Sequence, residues 1–219
     1  MKLELSEPLR YLGVRGEPGP ALLAELSAVA DQLTRSVTPR YTWRVFPLSF
    51  PEEGPALEGS GLTLTGTLAG RMLADCSQAV LLACTLGAGF ESLLRAEQAR
   101  SMARAAMLDA CGSVWVEAGC DAAEEEISAR FPGLYRTDRF SPGYGDLPLV
   151  LQRDICALLD AQKRLGVQVT DCFLMNPSKS VTAVIGLSER PQPARLRGCG
   201  FCSFKETCEF RKEGKICGT

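Results

Sequence analysis

The stretch from Gly89 to Ala129 constrains the fold more than any other. It is the longest helix candidate in the chain, and its middle is crowded with small residues: Ala103, Ala105, Ala106, Ala110 and Gly112. So little side-chain bulk lets neighbouring elements approach closely. On its N-terminal side, residues 19–36 carry helical periodicity, with Leu22, Leu26, Val29 and Leu33 on one stripe. Pro39 closes that helix, and Tyr41–Phe50 reads as a strand rich in aromatic and β-branched residues. After the Pro- and Gly-rich loop PEEGPALEGSG come a short strand (62–65), a helix (68–78) and an apolar run, 79–86, that suits a buried strand ended by Gly87.

On the C-terminal side, 146–165 reads as one helix. Asp146 stands as its N-cap, Pro148 lies in the first turn, and Leu147, Leu151, Ile155, Leu158 and Leu159 share a face; Gly166 is the stop. Residues 167–175 and 181–187 alternate like strands around the connection NPSKS. Strands and helices mix without regular βα alternation, so the expected fold class is α+β.

A chain of 219 residues can bury one full-sized core plus an appendage. Its apolar fraction of 46% and charged fraction of 23% are those of ordinary globular proteins. A net charge of −2 offers no basic footprint for nucleic acid. No apolar run approaches the roughly 18 residues of a membrane span, and MKLELSEPLR lacks the apolar stretch of a secretory signal. The expectation is a cytoplasmic protein that binds neither nucleic acid nor membrane. The chain has no histidine, which removes the commonest general base and metal ligand. It has ten cysteines, which in a reducing compartment are more often buried, metal-binding or redox-active than disulfide-bonded.

Four of those cysteines form a pattern. Cys199, Cys202, Cys208 and Cys217 are spaced Cys-x2-Cys-x5-Cys-x8-Cys, among Arg197, Lys205, Arg211, Lys212 and Lys215. Paired thiolates separated by two residues can turn toward one metal, two more complete a four-sulfur shell, and the cations favour the thiolate form. A [4Fe–4S] cluster is the favoured occupant; a zinc knuckle that folds the tail is the alternative. The run CGFCSFKETC is similar to the C-terminal cysteine runs of iron–sulfur nucleases, in the ligands alone. The Pro- and Arg-rich ERPQPARLRG before it marks 191–219 as a small appended lobe. The other cysteines (Cys76, Cys84, Cys111, Cys120, Cys156 and Cys172) sit singly and read as small buried hydrophobes.

A second unusual segment is RFSPGYGDLP. Gly143 and Gly145 flank Tyr144, and Pro142 and Pro148 stiffen either side. Glycines admit a ligand close to the backbone, the tyrosine offers a ring face and a hydroxyl, and Arg139 can clamp a carboxylate with two bonds. An amino-acid-like ligand with a flat base suits that set. A tight loop with Arg139 in an ordinary ion pair suits it too. Lys179 and Arg153 are candidate further contacts, with solvated surface charge the favoured reading of each, and Glu124, Glu125 and Glu126 read as a wet helix face.

From Arg139 to Val181 the chain resembles the S-adenosylmethionine-binding activation domain of cobalamin-dependent methionine synthase. The family's Arg-x-x-x-Gly-Tyr signature appears as Arg139, Gly143 and Tyr144, followed by Pro148. Gly166, Thr170, Met175, Pro177, Ser180 and Val181 then follow in the family's order. The resemblance extends over about 104–188 and implies an activation-like domain at 1–190. By it, Arg139 holds the ligand's carboxylate, backbone around Pro142, Gly143 and Tyr144 binds the rest, and Glu117 is the candidate acidic contact on the preceding helix. It departs from the family after Ser188, where an aromatic-bearing stretch gives way to the cysteine tail.

The resemblance implies a methyltransferase-type reactivation component: with S-adenosylmethionine it supports reductive methylation of cob(II)alamin. The cobalamin is carried by a separate corrinoid-binding methionine synthase subunit, and the electron comes from a flavodoxin- or ferredoxin-type donor. A reactivator of another corrinoid methyltransferase, or a non-catalytic metal-stabilised module that binds S-adenosylmethionine or a corrinoid protein, is the alternative.

Overall fold

The computed structural model describes residues 3–193. The four-cysteine expectation at Cys199, Cys202, Cys208 and Cys217 lies outside the described residues. In chain order the first elements are α1 (Ser6–Tyr11), α2 (Pro20–Ser36), β1 (Arg40–Ser49), β2 (Ala56–Leu57), β3 (Leu62–Thr63), α3 (Thr67–Leu73) and β4 (Gln78–Thr85). There follow α4 (Gly87–Arg100), α5 (Met102–Arg130), β5 (Tyr135–Arg136), α6 (Leu151–Leu158), α7 (Ala161–Leu165), β6 (Gln168–Val169), β7 (Met175–Asn176) and β8 (Ser180–Ser188). Helices and antiparallel pairings mix as the α+β expectation has it. Among the described residues no helix is long and apolar enough to cross a membrane.

Two compact units divide the chain. The first takes residues up to Thr42 together with Leu82–Glu126 and Cys156–Val181; the second takes Trp43–Leu81, Ile127–Ile155 and residues from Thr182 onward.

In the first unit, Leu26, Val29 and Leu33 of α2 are buried on one stripe, as their spacing requires. Complete burial of a leucine stabilises by about 1.5–3 kcal/mol. Trp115 of α5 is buried and donates its indole N–H to Val37 O at 2.8 Å. The small residues of α5 are filled from outside. A Cβ on Gly112 would lie 2.5 Å from the Phe90 ring, and one on Gly119 would lie 2.5 Å from Pro39 and 2.7 Å from Cys84 Sγ.

The single long helix expected over 89–129 is two helices, because Ser101 leaves helical geometry (φ −158°, ψ 112°). Its amide closes α4 on Glu97 O (2.7 Å), and its hydroxyl accepts the Arg104 N–H (3.3 Å) at the start of α5. A serine at an N-cap is favoured for that bond, and no Gly or Pro announces the break.

The main sheet has the strand order β3-β2-β1-β4-β8-β5, with β2, β3 and β5 wholly within the second unit. Leu48 faces Leu57 and Ser49 faces Ala56 in the β1–β2 pair; Arg136 faces Leu187 in the β5–β8 pair. Val184, Ile185 and Leu187 of β8 are buried with Met72 and Leu73 of α3. The helix expected over 68–78 stops at Leu73, leaving Gln78 to open β4.

The 146–165 helix is also corrected. It begins at Leu151, after a turn at Leu149–Val150, and breaks at Asp160, whose φ of +51° is left-handed. Aspartate tolerates that conformation better than most residues, so the break leaves little trace in the sequence. Gly166 ends α7 as expected, its amide reaching Gln162 O and the Val167 amide reaching Ala161 O. Five of the six single cysteines are buried, and Cys172 is exposed.

Candidate functional site

Arg139 stands on an extended stretch that two clamps hold antiparallel to β8. Thr137 N–H donates to Gly186 O (3.0 Å), while the Thr137 hydroxyl accepts the Gly186 N–H (2.9 Å) and donates to Asp138 O (3.0 Å). Phe140 and Val184 exchange both backbone bonds, at 3.0 and 2.7 Å. Side chains alternate along such a stretch, so Phe140 is driven into the core while Arg139 is half-buried. Gly186 has no room for a side chain: a Cβ there would collide with Cys76 Sγ and lie 2.8 Å from Leu73.

Beyond Phe140 the chain folds into a closed turn. Tyr144 N–H donates to Ser141 O (3.0 Å), Gly143 N–H to Leu147 O (2.8 Å), and Leu147 N–H to Tyr144 O (3.0 Å). Gly143 (φ +86°) and Gly145 (φ +57°) are left-handed, and added Cβ atoms would press on Leu149 (3.3 Å) and Leu68 (3.2 Å). The loop's own geometry therefore requires both glycines, as a tight loop does. Pro142 is buried, whereas Gly143 is exposed and Tyr144 is 52% exposed. The structure thus gathers Pro142, Gly143 and Tyr144 into one turn just past Arg139.

Asp146 does not cap the helix that follows it. Its carboxylate accepts the Thr67 hydroxyl (2.6 Å), the Thr67 N–H (2.7 Å) and the Leu68 N–H (2.9 Å), capping α3 instead. The Thr67 hydroxyl bond, with the two amides behind it, holds the Asp146 carboxyl down at about 2. Further on, the Thr182 hydroxyl donates to Gln152 Oε1 (3.0 Å), both residues being buried.

Glu117 belongs to the other compact unit and is half-buried on α5. It follows Asp109 and Ser113 at intervals of four, so the three share a helix face. Lys179 reaches that face: its ammonium lies 2.9 Å from Asp109 Oδ1 and donates to Ser113 Oγ at 2.8 Å. With its side chain only 15% exposed, Lys179 is an internal tie and not the solvated charge expected of it.

The neighbouring motif residues are architectural as well. Thr170 closes the β6–β7 turn: its N–H donates to Leu174 O (2.8 Å), and its Oγ1 accepts the Leu174 amide (3.1 Å). Ser180 Oγ bonds Pro177 O (2.7 Å) and the Thr85 hydroxyl (2.8 Å). The Glu91 carboxylate accepts both the amide and the hydroxyl of Ser178 at 2.7 Å. No local pattern could have linked residue 91 to 178, or 67 to 146.

Chemically, the Arg139–Tyr144 segment combines a cation suited to a carboxylate, an exposed aromatic face and an exposed glycine backbone. Those groups fit an amino acid joined to a flat base. Nothing there is placed to move a proton. An open groove of about 720 Å³ lies elsewhere, lined by Leu5, Leu9, Leu23 and Ala30, and contains none of these residues.

Among curated proteins, no sequence matches the chain. Residues 91–193, just under half of the chain, match the family model described as "Vitamin B12 dependent methionine synthase, activation domain". The fold resembles that of a solved structure described as the MetH reactivation domain bound to AdoHcy. There the TM-score is 0.66 and the identity 16%, over 95% of this chain and 80% of that one. In sequence over residues 91–193, and in fold over nearly its whole length, the chain is similar to the activation domain of vitamin B12-dependent methionine synthase.

Proposed function

We propose that the chain binds S-adenosylmethionine through Arg139, Pro142, Gly143 and Tyr144, with Glu117 as the acidic contact, and acts in trans on a corrinoid-binding methionine synthase subunit. The observation that carries this reading is the family match over 91–193, which includes all five residues. In the resembled reaction, cob(II)alamin gains one electron and one methyl group, giving methylcobalamin and S-adenosylhomocysteine (AdoHcy).

This chain's residues then have positional tasks. Arg139 holds the carboxylate by paired bonds, the Tyr144 ring lies along the flat base, and Gly143 lets the backbone come near. No side chain needs to take a proton, in keeping with a chain without histidine. The methyl group is thus presented in a fixed place, and the partner's corrinoid supplies the metal.

The tail extends the proposal: Cys199, Cys202, Cys208 and Cys217 would hold a [4Fe–4S] cluster, which would supply one-electron relay or a docking point for a flavodoxin- or ferredoxin-type donor. Protein purified without oxygen should show a broad band near about 400 nm that bleaches with dithionite, with matching iron and sulfide. Stoichiometric zinc from iron-replete cells would reduce the tail to a structural lobe. With a cluster present, Cys202→Ser should abolish reductive reactivation and spare S-adenosylmethionine binding.

The deciding experiment is reactivation of a cob(II)alamin methionine synthase that lacks its own activation domain. Methylcobalamin should form only when this protein, S-adenosylmethionine and a reductant are all present. If AdoHcy binds but no corrinoid protein is methylated, the protein is a binding module. If only another corrinoid methyltransferase is rescued, the partner is that enzyme.

A further inference from the structure

We propose that Asp146 is a positioning residue for the ligand loop, holding Gly143, Tyr144 and Gly145 in place by gripping the Gly66–Leu68 turn that starts α3. The inference rests on the reading of Arg139–Tyr144 as the S-adenosylmethionine site. The loop is fixed at its two ends by β8, through Phe140 with Val184 and through Gln152 with Thr182. Between those ends the Asp146 carboxylate makes three bonds of 2.6–2.9 Å to Thr67 and Leu68.

The two turns also lie flush. Gly66 has φ +102°, and a Cβ there would lie 2.7 Å from Asp146 O; a Cβ on Gly145 would lie 3.2 Å from Leu68. Gly145 and Asp146, which directly follow Gly143 and Tyr144, are therefore seated on a turn outside the 91–193 segment that carries the family match. Tyr144, 52% exposed, is set in direction by its own turn, bonded to Ser141 O and to the Leu147 amide, and by the Gly145–Asp146 contact that seats that turn. A carboxylate that satisfies the first amides of a helix is a strong local anchor, and ligand-facing groups are only as well placed as the residues behind them.

The test is AdoHcy affinity by calorimetry, beside a urea midpoint for each variant. Asp146→Ala should weaken AdoHcy binding roughly tenfold, because small misplacement of contact groups is costly. Asp146→Asn, whose amide oxygen still accepts, should recover most of the affinity, and Thr67→Val should lose an intermediate amount. Combining Asp146→Ala with Thr67→Val should cost no more than Asp146→Ala alone, since both act through one contact.

A purely architectural Asp146 would lower the urea midpoint of Asp146→Ala and leave affinity at the wild-type value. With Arg139→Ala abolishing binding, that result overturns this inference alone. If Asp146→Ala does not fold, wild-type affinity in both Thr67→Val and Asp146→Asn overturns it equally. No AdoHcy binding by the wild type, or unchanged binding by Arg139→Ala, overturns the site itself and this inference with it.

Discussion

Two places where the chain changes direction make opposite use of their polar groups. At Glu97–Arg104, between α4 and α5, the charged side chains of Glu97 and Arg104 turn inward, while Met102 between them is 68% exposed. Glu97 is 3% exposed and accepts from the Gln32 amide (3.0 Å) and from Arg104 Nε (3.2 Å), while Arg104 Nη2 donates to Gln32 Oε1 (3.1 Å). The Gln32 amide bond, with Arg104 behind it, holds the Glu97 carboxyl below its ordinary value. At Ser141–Val150 the amides of Gly143, Tyr144 and Leu147 are bonded within the turn, and Tyr144, Leu149 and Val150 are 52, 37 and 47% exposed. The polar groups of the first junction satisfy one another. The second is closed in its backbone and open in its side chains, which is the form expected of a surface that a ligand or partner completes.

Substitutions should therefore separate affinity from stability at the two places. The largest effect belongs to the loop's flank: Arg139→Ala should weaken AdoHcy binding at least about a hundredfold, beyond any accompanying shift in its urea midpoint. A loss under about threefold by calorimetry would take Arg139 out of the site. The junction should give the reverse. Glu97→Ala strands the Gln32 and Arg104 donors and should cost about 2 kcal/mol in urea unfolding while leaving AdoHcy affinity as it is. If Glu97→Ala also lost affinity, the junction would be part of the binding machinery and the contrast would fail.

How far the sequence foretells each place follows from the range of the forces involved. The stripe of α2 and the strands at 40–49, 78–85 and 180–188 were legible, since period and burial are written locally. So was the turn at Pro142–Tyr144, through its glycines. The break at Ser101 was not, because its cap is one hydroxyl inside a run of good helix formers. The partner of Asp146 was not legible either: an N-cap signal looks the same whether it serves its own helix or one that begins at Thr67. Lys179 was misjudged for a related reason, its partners Asp109 and Ser113 being far away in sequence.

A smaller effect sharpens the description of the loop's open side. Tyr144→Ala removes an exposed ring, so stability should hold within about 0.5 kcal/mol. AdoHcy affinity should fall roughly tenfold if the ring lies on the ligand's base, about what a stacked aromatic contributes to a flat base. Tyr144→Phe, which keeps the face and loses the hydroxyl, should restore it. Failure of the phenylalanine to restore binding would assign the contact to the hydroxyl and leave the ring without a task.

The smallest effect concerns acid. The Thr67 hydroxyl and the Thr67 and Leu68 amides stabilise Asp146 as the anion and depress its carboxyl from 3.8 to about 2. A carboxyl depressed on folding contributes its full stabilisation above its ordinary value and loses it as the pH falls through the folded value. Wild type should thus be more stable than Asp146→Asn at pH 5–7, with the gap in urea midpoint closing as the pH falls from 3.8 towards about 2. The other carboxylates, Glu97 included, titrate in both proteins and cancel from the difference. Because Asp146 is solvent-exposed, the gap should be modest even at neutral pH. A gap that stayed constant across that window would mean that the cap works as well neutral as charged. The loop would then be held by its shape against Gly66 and Leu68, and the contrast with the charge-paired junction at Glu97 would be complete.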